Sequence, residues 1–113
     1  MASRYWNPAA AANWNDINSW AQVDGGATGF SVPSSADDVY FTATNVYNCT
    51  VDVDASTLSL DMTGYTGTFS GSNKLDIYGN LKLASGATYT YTGDITFKAT
   101  SSKTLTLNSN TLS

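Results

Sequence analysis

The carboxylate and thiol side chains of this 113-residue chain are nine Asp and one Cys, and neither His nor Glu occurs, which removes most acid–base and nucleophilic constellations. Catalytic arrangements built on His, and zinc sites of the His/Cys type, are excluded by that inventory. Carboxylate chemistry with Asp alone remains. On a pleated strand, residues i and i+2 share a face, so Asp52 and Asp54 are expected to point outward together, with Asp76 one repeat further and Asp94 or Thr96 beyond. A row of this kind can hold calcium, a hard cation that accepts carboxylate and backbone oxygens, and paired Asp can hydrolyse glycosides. The plainer expectation is a solvated row that keeps an outer face soluble and blocks sideways association. No cofactor is expected.

Cys49 lies in a stretch where Tyr47, Cys49, Val51 and Val53 alternate with polar residues, which places it among apolar neighbours as a packing cysteine. A reactive thiol needs a nearby base or positive charge, and the nearest cation in sequence is Lys74. A single Cys forms no internal disulfide. Asn48-Cys49-Thr50 also matches a glycosylation acceptor, which has meaning only on a eukaryotic secretory route.

Aromatic faces stack on sugar rings, so Tyr40, Tyr65 and Tyr78 are candidate contacts for a glycan or a protein partner. Packing at corners and in the core is the alternative use of such residues. Trp6, Trp14, Trp20 and Phe30, together with Tyr5, are read as cap packing over the first repeat.

The elements that must position these groups are strands. Sixteen Thr, 14 Ser and 10 Asn favour strands, turns and caps over helix interiors, and helix-building residues are scarce. The aromatic content, three Trp, seven Tyr and four Phe, argues against disorder. Residues 1–38 read as an irregular Trp-rich cap, in which Asn15-Asp16 can cap one helical turn and the Ala9 to Ala12 run after Pro8 can form another. Residues 39–113 read as short alternating strands closed by Gly, Asn or Ser, and the two parts together make one domain.

An internal repeat organises those strands into three classes: 50–53, 75–78 and 95–98; 58–62, 81–83 and 105–107; 68–70, 89–91 and 111–112. Within a class the spacing is about 20 to 25 residues, as in a three-sided β-helix whose rungs stack on one another. The expected fold is all-β, a short right-handed parallel β-solenoid of about three rungs. Val51 and Val53 are expected to stack on Leu75 and Ile77 and then on Ile95 and Phe97. Leu58 and Leu60 are expected on Leu81 and Leu83, then on Leu105 and Leu107. The competing fold is an antiparallel β-sandwich, in which Gly79-Asn80 would turn a hairpin.

Tyr5-Trp6, Asn13-Trp14-Asn15-Asp16, Trp20, Gly25-Gly26, Val32-Pro33 and residues 37–41, followed by Val51-Asp52-Val53 and Leu58-Ser59-Leu60, resemble the N-terminal cap and first rungs of parallel β-helix proteins. Such segments occur in tailed-phage virion proteins, including fibres and surface decoration, and in adhesins of the haemagglutinin and autotransporter type. Stretches 75–83 and 94–98 are similar to rungs of the phage members. Where that family often carries a Gly-rich loop between the first two Trp, this chain has Pro8 and four Ala.

The resemblance implies a non-enzymatic structural protein of a phage particle, a surface decoration or fibre attachment segment. It would be made in the host cytoplasm and carried on the virion surface, and would dock on other virion proteins or on itself as a homo-oligomer. The alternative is an adhesin or glycan-binding module on a cell surface, with a cell-surface glycan as its partner. A net charge of −4 with five Lys and Arg makes nucleic acid an unsuitable partner. No apolar run reaches the roughly 18 residues of a membrane span. Met1 to Trp6 lacks the apolar core of a signal peptide, so no secretion address is expected. The alternating pattern is still running at Leu112, so either the chain is truncated there or a partner is expected to cover that end.

Overall fold

Short runs with an apolar residue at every second position, each broken by Gly, Asn, Ser or Asp, cannot bury their faces alone and must stack on one another. The computed structural model describes residues 2–107, which do this in an all-β fold. In chain order the elements are β1 (Ala2–Trp6), β2 (Ala12–Asn13), a 3-10 turn (Ile17–Ser19) and β3 (Trp20–Ala21), then β4 (Asp37–Tyr40), β5 (Cys49–Val51) and β6 (Ala55–Thr57). They continue as β7 (Leu60–Asp61), β8 (Thr68–Gly71), β9 (Leu75–Ile77), β10 (Leu81–Lys82), β11 (Thr88–Tyr89), β12 (Ile95–Phe97) and β13 (Leu105–Thr106).

Three parallel sheets form the walls: β1-β4-β7-β10-β13, β2-β5-β8-β11 and β6-β9-β12. The chain visits them in turn, so β4-β5-β6, β7-β8-β9 and β10-β11-β12 are three successive turns of a parallel β-solenoid. Antiparallel pairing is confined, among the described residues, to β3 on β1 and a bridge between Ala21 and Thr28. The sandwich alternative is thereby overturned. Gly79-Asn80 turns no hairpin; it rounds a corner between β9 on one wall and β10 on another.

The register corrects part of the expected stacking. Leu75 and Ile77 do stack on Ile95 and Phe97, but beneath them lie Ala55 and Thr57 rather than Val51 and Val53. The stretch containing Val51 belongs to the β5 wall, where Cys49 pairs with Phe69 and Val51 with Gly71. On the β4 wall Leu81 pairs with Leu105 as expected, but beneath it lies Leu60, two residues from the expected Leu58. A two-residue slip keeps every side chain on its own face, so alternation alone could not set it. The third-class stretch 111–112 lies outside the described residues.

The N-terminal segment is less irregular than expected. β1 runs parallel to β4 with Arg4 opposite Val39, and β2 runs parallel to β5 with Ala12 opposite Cys49. Asp16 caps the 3-10 turn by accepting from Asn18 N at 2.9 Å. The Ala run forms no helix, because Ala12 N is drawn into the wall by Asn48 O at 3.1 Å and four Ala cannot nucleate a helix alone. Arg4 stands at an inward position yet stays hydrogen-bonded: its guanidinium donates to Ser31 O at 2.8 Å, Ser31 Oγ at 2.7 Å and Ser3 O at 2.9 Å.

The core changes character along the axis. Near β1 it is aromatic: Phe41 lies within 6.1 Å of Trp6, Trp14, Trp20, Tyr65 and Phe69, centroid to centroid. Further along, Leu60, Leu75, Ile77 and Leu81 fill it. At the last described strands, Phe97 on β12 is 46% and Leu105 on β13 48% exposed.

Two devices hold the corners. In the first, a short side chain accepts the backbone N–H of the next rung: Asp38 from Ser59 at 3.3 Å, Ser59 from Asn80 at 3.0 Å and Asn80 from Thr104 at 2.8 Å. Asn48 and Asp54 do the same for Thr68 and Lys74. Rungs lie about 4.8 Å apart, a gap that Asp, Asn and Ser span. The acids and amides are therefore as much stitches as surface charges.

The second device is a Tyr-Thr-Gly turn, used at residues 65–67 and again at residues 91–93. Each Tyr hydroxyl donates to a carbonyl 18 residues earlier, Tyr47 O for Tyr65 and Asn73 O for Tyr91, and lies close to a carbonyl three residues later. A Cβ on Gly67 or Gly93 would collide with that hydroxyl and with the preceding rung's carbonyl.

Candidate functional site on the β4 face

The structure scatters most of the side chains singled out for chemistry. Asp52 is exposed and accepts from Asn15 N at 2.9 Å. Asp54 stitches to Lys74, and Asp76 sits on β9 opposite Ser56 and Thr96. The expected row of Asp52, Asp54 and Asp76 on one strand class is corrected: the column through Asp76 reads Ser56, Asp76, Thr96, and Asp54 precedes β6 at its corner. Asp94, Asp54 and Asp76 all act on the Tyr91 hydroxyl, whose pKa burial and these charges push up to about 12. Among the described residues, no group of three carboxylate or thiol side chains is placed to hold a metal ion.

Cys49 is completely buried on the inward face of β5, and burial first, then Asp52, pushes its thiol pKa well above the ordinary value. Its microenvironment is that of an inert packing cysteine.

Of the three candidate tyrosines, Tyr65 is fully buried and hydrogen-bonded, so it offers nothing to a ligand, which corrects that reading. Tyr78 is 37% exposed at the end of β9. Tyr40 is half-buried on the outer surface of β4. Trp6, Trp14 and Trp20 are buried in the aromatic core, with Trp6 Nε1 donating to Tyr47 O at 3.0 Å and Trp20 Nε1 to Trp14 O at 2.8 Å. Phe30 is only half-buried beside them.

Tyr40 is the point around which other groups gather. The wall's register places Tyr5, Tyr40, Asp61, Lys82 and Thr106 in one outward column, and Ser3 and Asp38 begin the column beside it. Tyr5 and Tyr40 stack with centroids 4.7 Å apart and planes 17° from parallel. Since they are register partners on adjacent rungs, their stacking direction is the solenoid axis, and the second face of Tyr40 is turned toward the next rung.

That next position holds Asp61, a short side chain folded onto its own turn by bonds from Thr63 N at 2.9 Å and Thr63 Oγ1 at 2.6 Å. The result is a groove of 340 Å³ along the wall, bordered by Tyr40, Asp38, Asp61, Asn80, Lys82 and Thr104 among others. Burial, then Asp38, Tyr5 and Asp61, raise the Tyr40 hydroxyl pKa above its ordinary value. The phenol therefore stays protonated and able to donate at neutral pH.

Sequence reasoning singled out Tyr40 without its partners. Asp61 and Lys82 become its neighbours only once the 21-residue step from Val39 to Leu60 to Leu81 is known, and Tyr5 only once β1 is seen to pair with β4. A larger basin of 720 Å³ lies beside the cap, lined chiefly by Pro8, the Ala9 to Ala12 run and Gly26 to Thr28. Its one acid, Asp16, already caps the 3-10 turn.

No family model, no curated protein and no solved structure matches the chain. The fold defines it as a parallel β-solenoid.

Proposed function

We propose that this chain is a non-enzymatic structural segment of a phage particle, a surface decoration or fibre attachment piece that works by docking on other virion proteins or on itself. The observation that carries the reading is the polarity of the stack. The end near β1 is closed by β3 and by the Trp6, Trp14, Trp20 and Phe41 cluster. Toward the other end, among the described residues, Phe97 on β12 and Leu105 on β13 are about half exposed, in register with Ile77 and Leu81 on the strands beneath them.

Half-exposed apolar side chains of this kind suit docking against another protein surface. The resemblance of the cap residues to phage β-helix segments supplies the setting. Stitched corners and a rigid aromatic core suit a part that bears contacts.

The test is to purify particles from a host producing this protein and look for it by mass spectrometry and by labelling with an antibody against the β4 face. Stoichiometric recovery with the particles, and surface labelling, is the expected result. Particles lacking the protein would overturn the reading.

A further inference from the structure

We propose that the groove beneath Tyr40 on the β4 face is a binding site for a neutral pyranose, which stacks on the free face of Tyr40 and donates its hydroxyls to Asp38 and Asp61. The site stands on geometry independent of any structural role. Tyr40 already stacks on Tyr5 through one face, which fixes the ring plane across the solenoid axis. Its other face looks along the axis over Asp61 toward Lys82, two rung intervals away, about 10 Å. That interval admits one saccharide ring lying flat on the phenol, and the groove has the volume for it, 340 Å³.

The polar groups are set out for hydroxyls. Asp38 and Asp61 each commit Oδ1 to hydrogen bonds, with Ser59 N and with Thr63, and Oδ2 makes none among the described residues. A free carboxylate oxygen accepts from a sugar hydroxyl in a charge-assisted bond. Thr104 and Thr106 add hydroxyls that both donate and accept, and Lys82 donates at the far end. The stitch network holds Asp38 and Asn80 in place, so the acceptors are ordered before a ligand arrives.

Charge selects among sugars. Two carboxylates beside the phenol repel a uronic or sialic acid, whereas an uncharged ring finds in them acceptors for its hydroxyls. Tyr78, the other exposed candidate, stands at the end of β9 on a different wall and does not line this groove.

The experiment is saturation-transfer NMR on the intact chain with methyl β-glucopyranoside, methyl β-galactopyranoside and methyl N-acetyl-β-glucosaminide, and with methyl β-glucuronide as the anionic probe. At least one neutral probe is expected to receive saturation at its ring C–H protons, and the glucuronide much less. Tyr40→Ala should reduce the effect about fivefold, while Tyr78→Ala leaves it unchanged. Asp61→Asn keeps the bonds from Thr63 and the ring platform, and is expected to weaken the same probe, which covers the case in which Tyr40→Ala misfolds. Silence from all neutral probes, equal binding of the glucuronide, or a signal indifferent to both Tyr40→Ala and Asp61→Asn would overturn the proposal.

Discussion

The two ends of this solenoid use the same backbone plan and different interiors. Around β1 to β5 the core is a cluster of rings in edge and stacked contact, with Trp14, Trp20 and Phe41 fully buried. In the rung of β10, β11 and β12, Leu81, Leu83 and Tyr91 are buried, whereas Tyr89 and Ile95 are half-buried and Phe97 is exposed. Parallel pairing runs through both ends, longer between β1 and β4 than between β10 and β13, so side-chain burial and ladder length change together. A rung becomes firm when a neighbour covers it, and the aromatic end supplies that cover within itself.

Replacing the ring at the centre of the aromatic cluster is the most severe way to break this contrast. Phe41→Ala is expected to lower stability by about 3–5 kcal/mol, measured by urea unfolding, whereas Phe97→Ala should cost under about 1 kcal/mol because Phe97 is already half in water. Equal losses would mean that the two ends unfold from the same cover.

The Tyr-Thr-Gly corners sharpen the comparison, because one sits near the cluster and one in the last rung. Gly67→Ala and Gly93→Ala should each cost about 1–3 kcal/mol through overpacking against a carbonyl and a hydroxyl. Gly86→Ala, where a Cβ would meet only Thr66 Cγ2 at 3.4 Å, should change stability by less than about 1 kcal/mol. Thermal melts of the three variants check this.

Alkaline pH probes the same corners. Tyr91 keeps its proton in the fold up to about 12 against an ordinary value of 10.0, and Tyr65 is raised as well. Between those values the folded chain binds more protons than the unfolded one. The stabilisation is therefore complete below about pH 10 and lost as pH rises toward 12. The melting temperature should fall across that window, and Tyr91→Phe should flatten part of the slope.

A modest effect is expected at a stitch. Asp54→Ala removes one bond to Lys74 N at an exposed corner and should cost about 0.5–1.5 kcal/mol by denaturant titration.

Much of the architecture could be read from alternation, since Leu75, Ile77, Ile95 and Phe97 declare their wall, and so do Leu60, Leu81 and Leu105. The strand that escaped notice was β6, because Ala55 and Thr57 fill inward positions with small or polar side chains. Val51 and Val53 looked like the better match, and their true wall follows from the corner at Asp52 to Asp54, which no periodicity marks. β1 and β2 were hidden in the same way by Arg4 and Ala12 at inward positions. The groove was less legible still: its residues lie 21 apart along the chain and meet only through register, so a single misplaced rung dissolves the site. The Asp residues misled because a carboxylate that stitches two rungs looks, in sequence, like one that faces water.

The register between successive rungs also determines how the molecule would yield to a pull. Each turn adds 20 or 21 residues between β4 and β12, and every rung holds its neighbour through short ladders that can open one bond at a time. Drawn by its C-terminal end, the chain would peel turn by turn, each releasing about 65 Å of extended polypeptide. It would stop at the interlocked rings of Trp6, Trp14, Trp20 and Phe41, which must separate together.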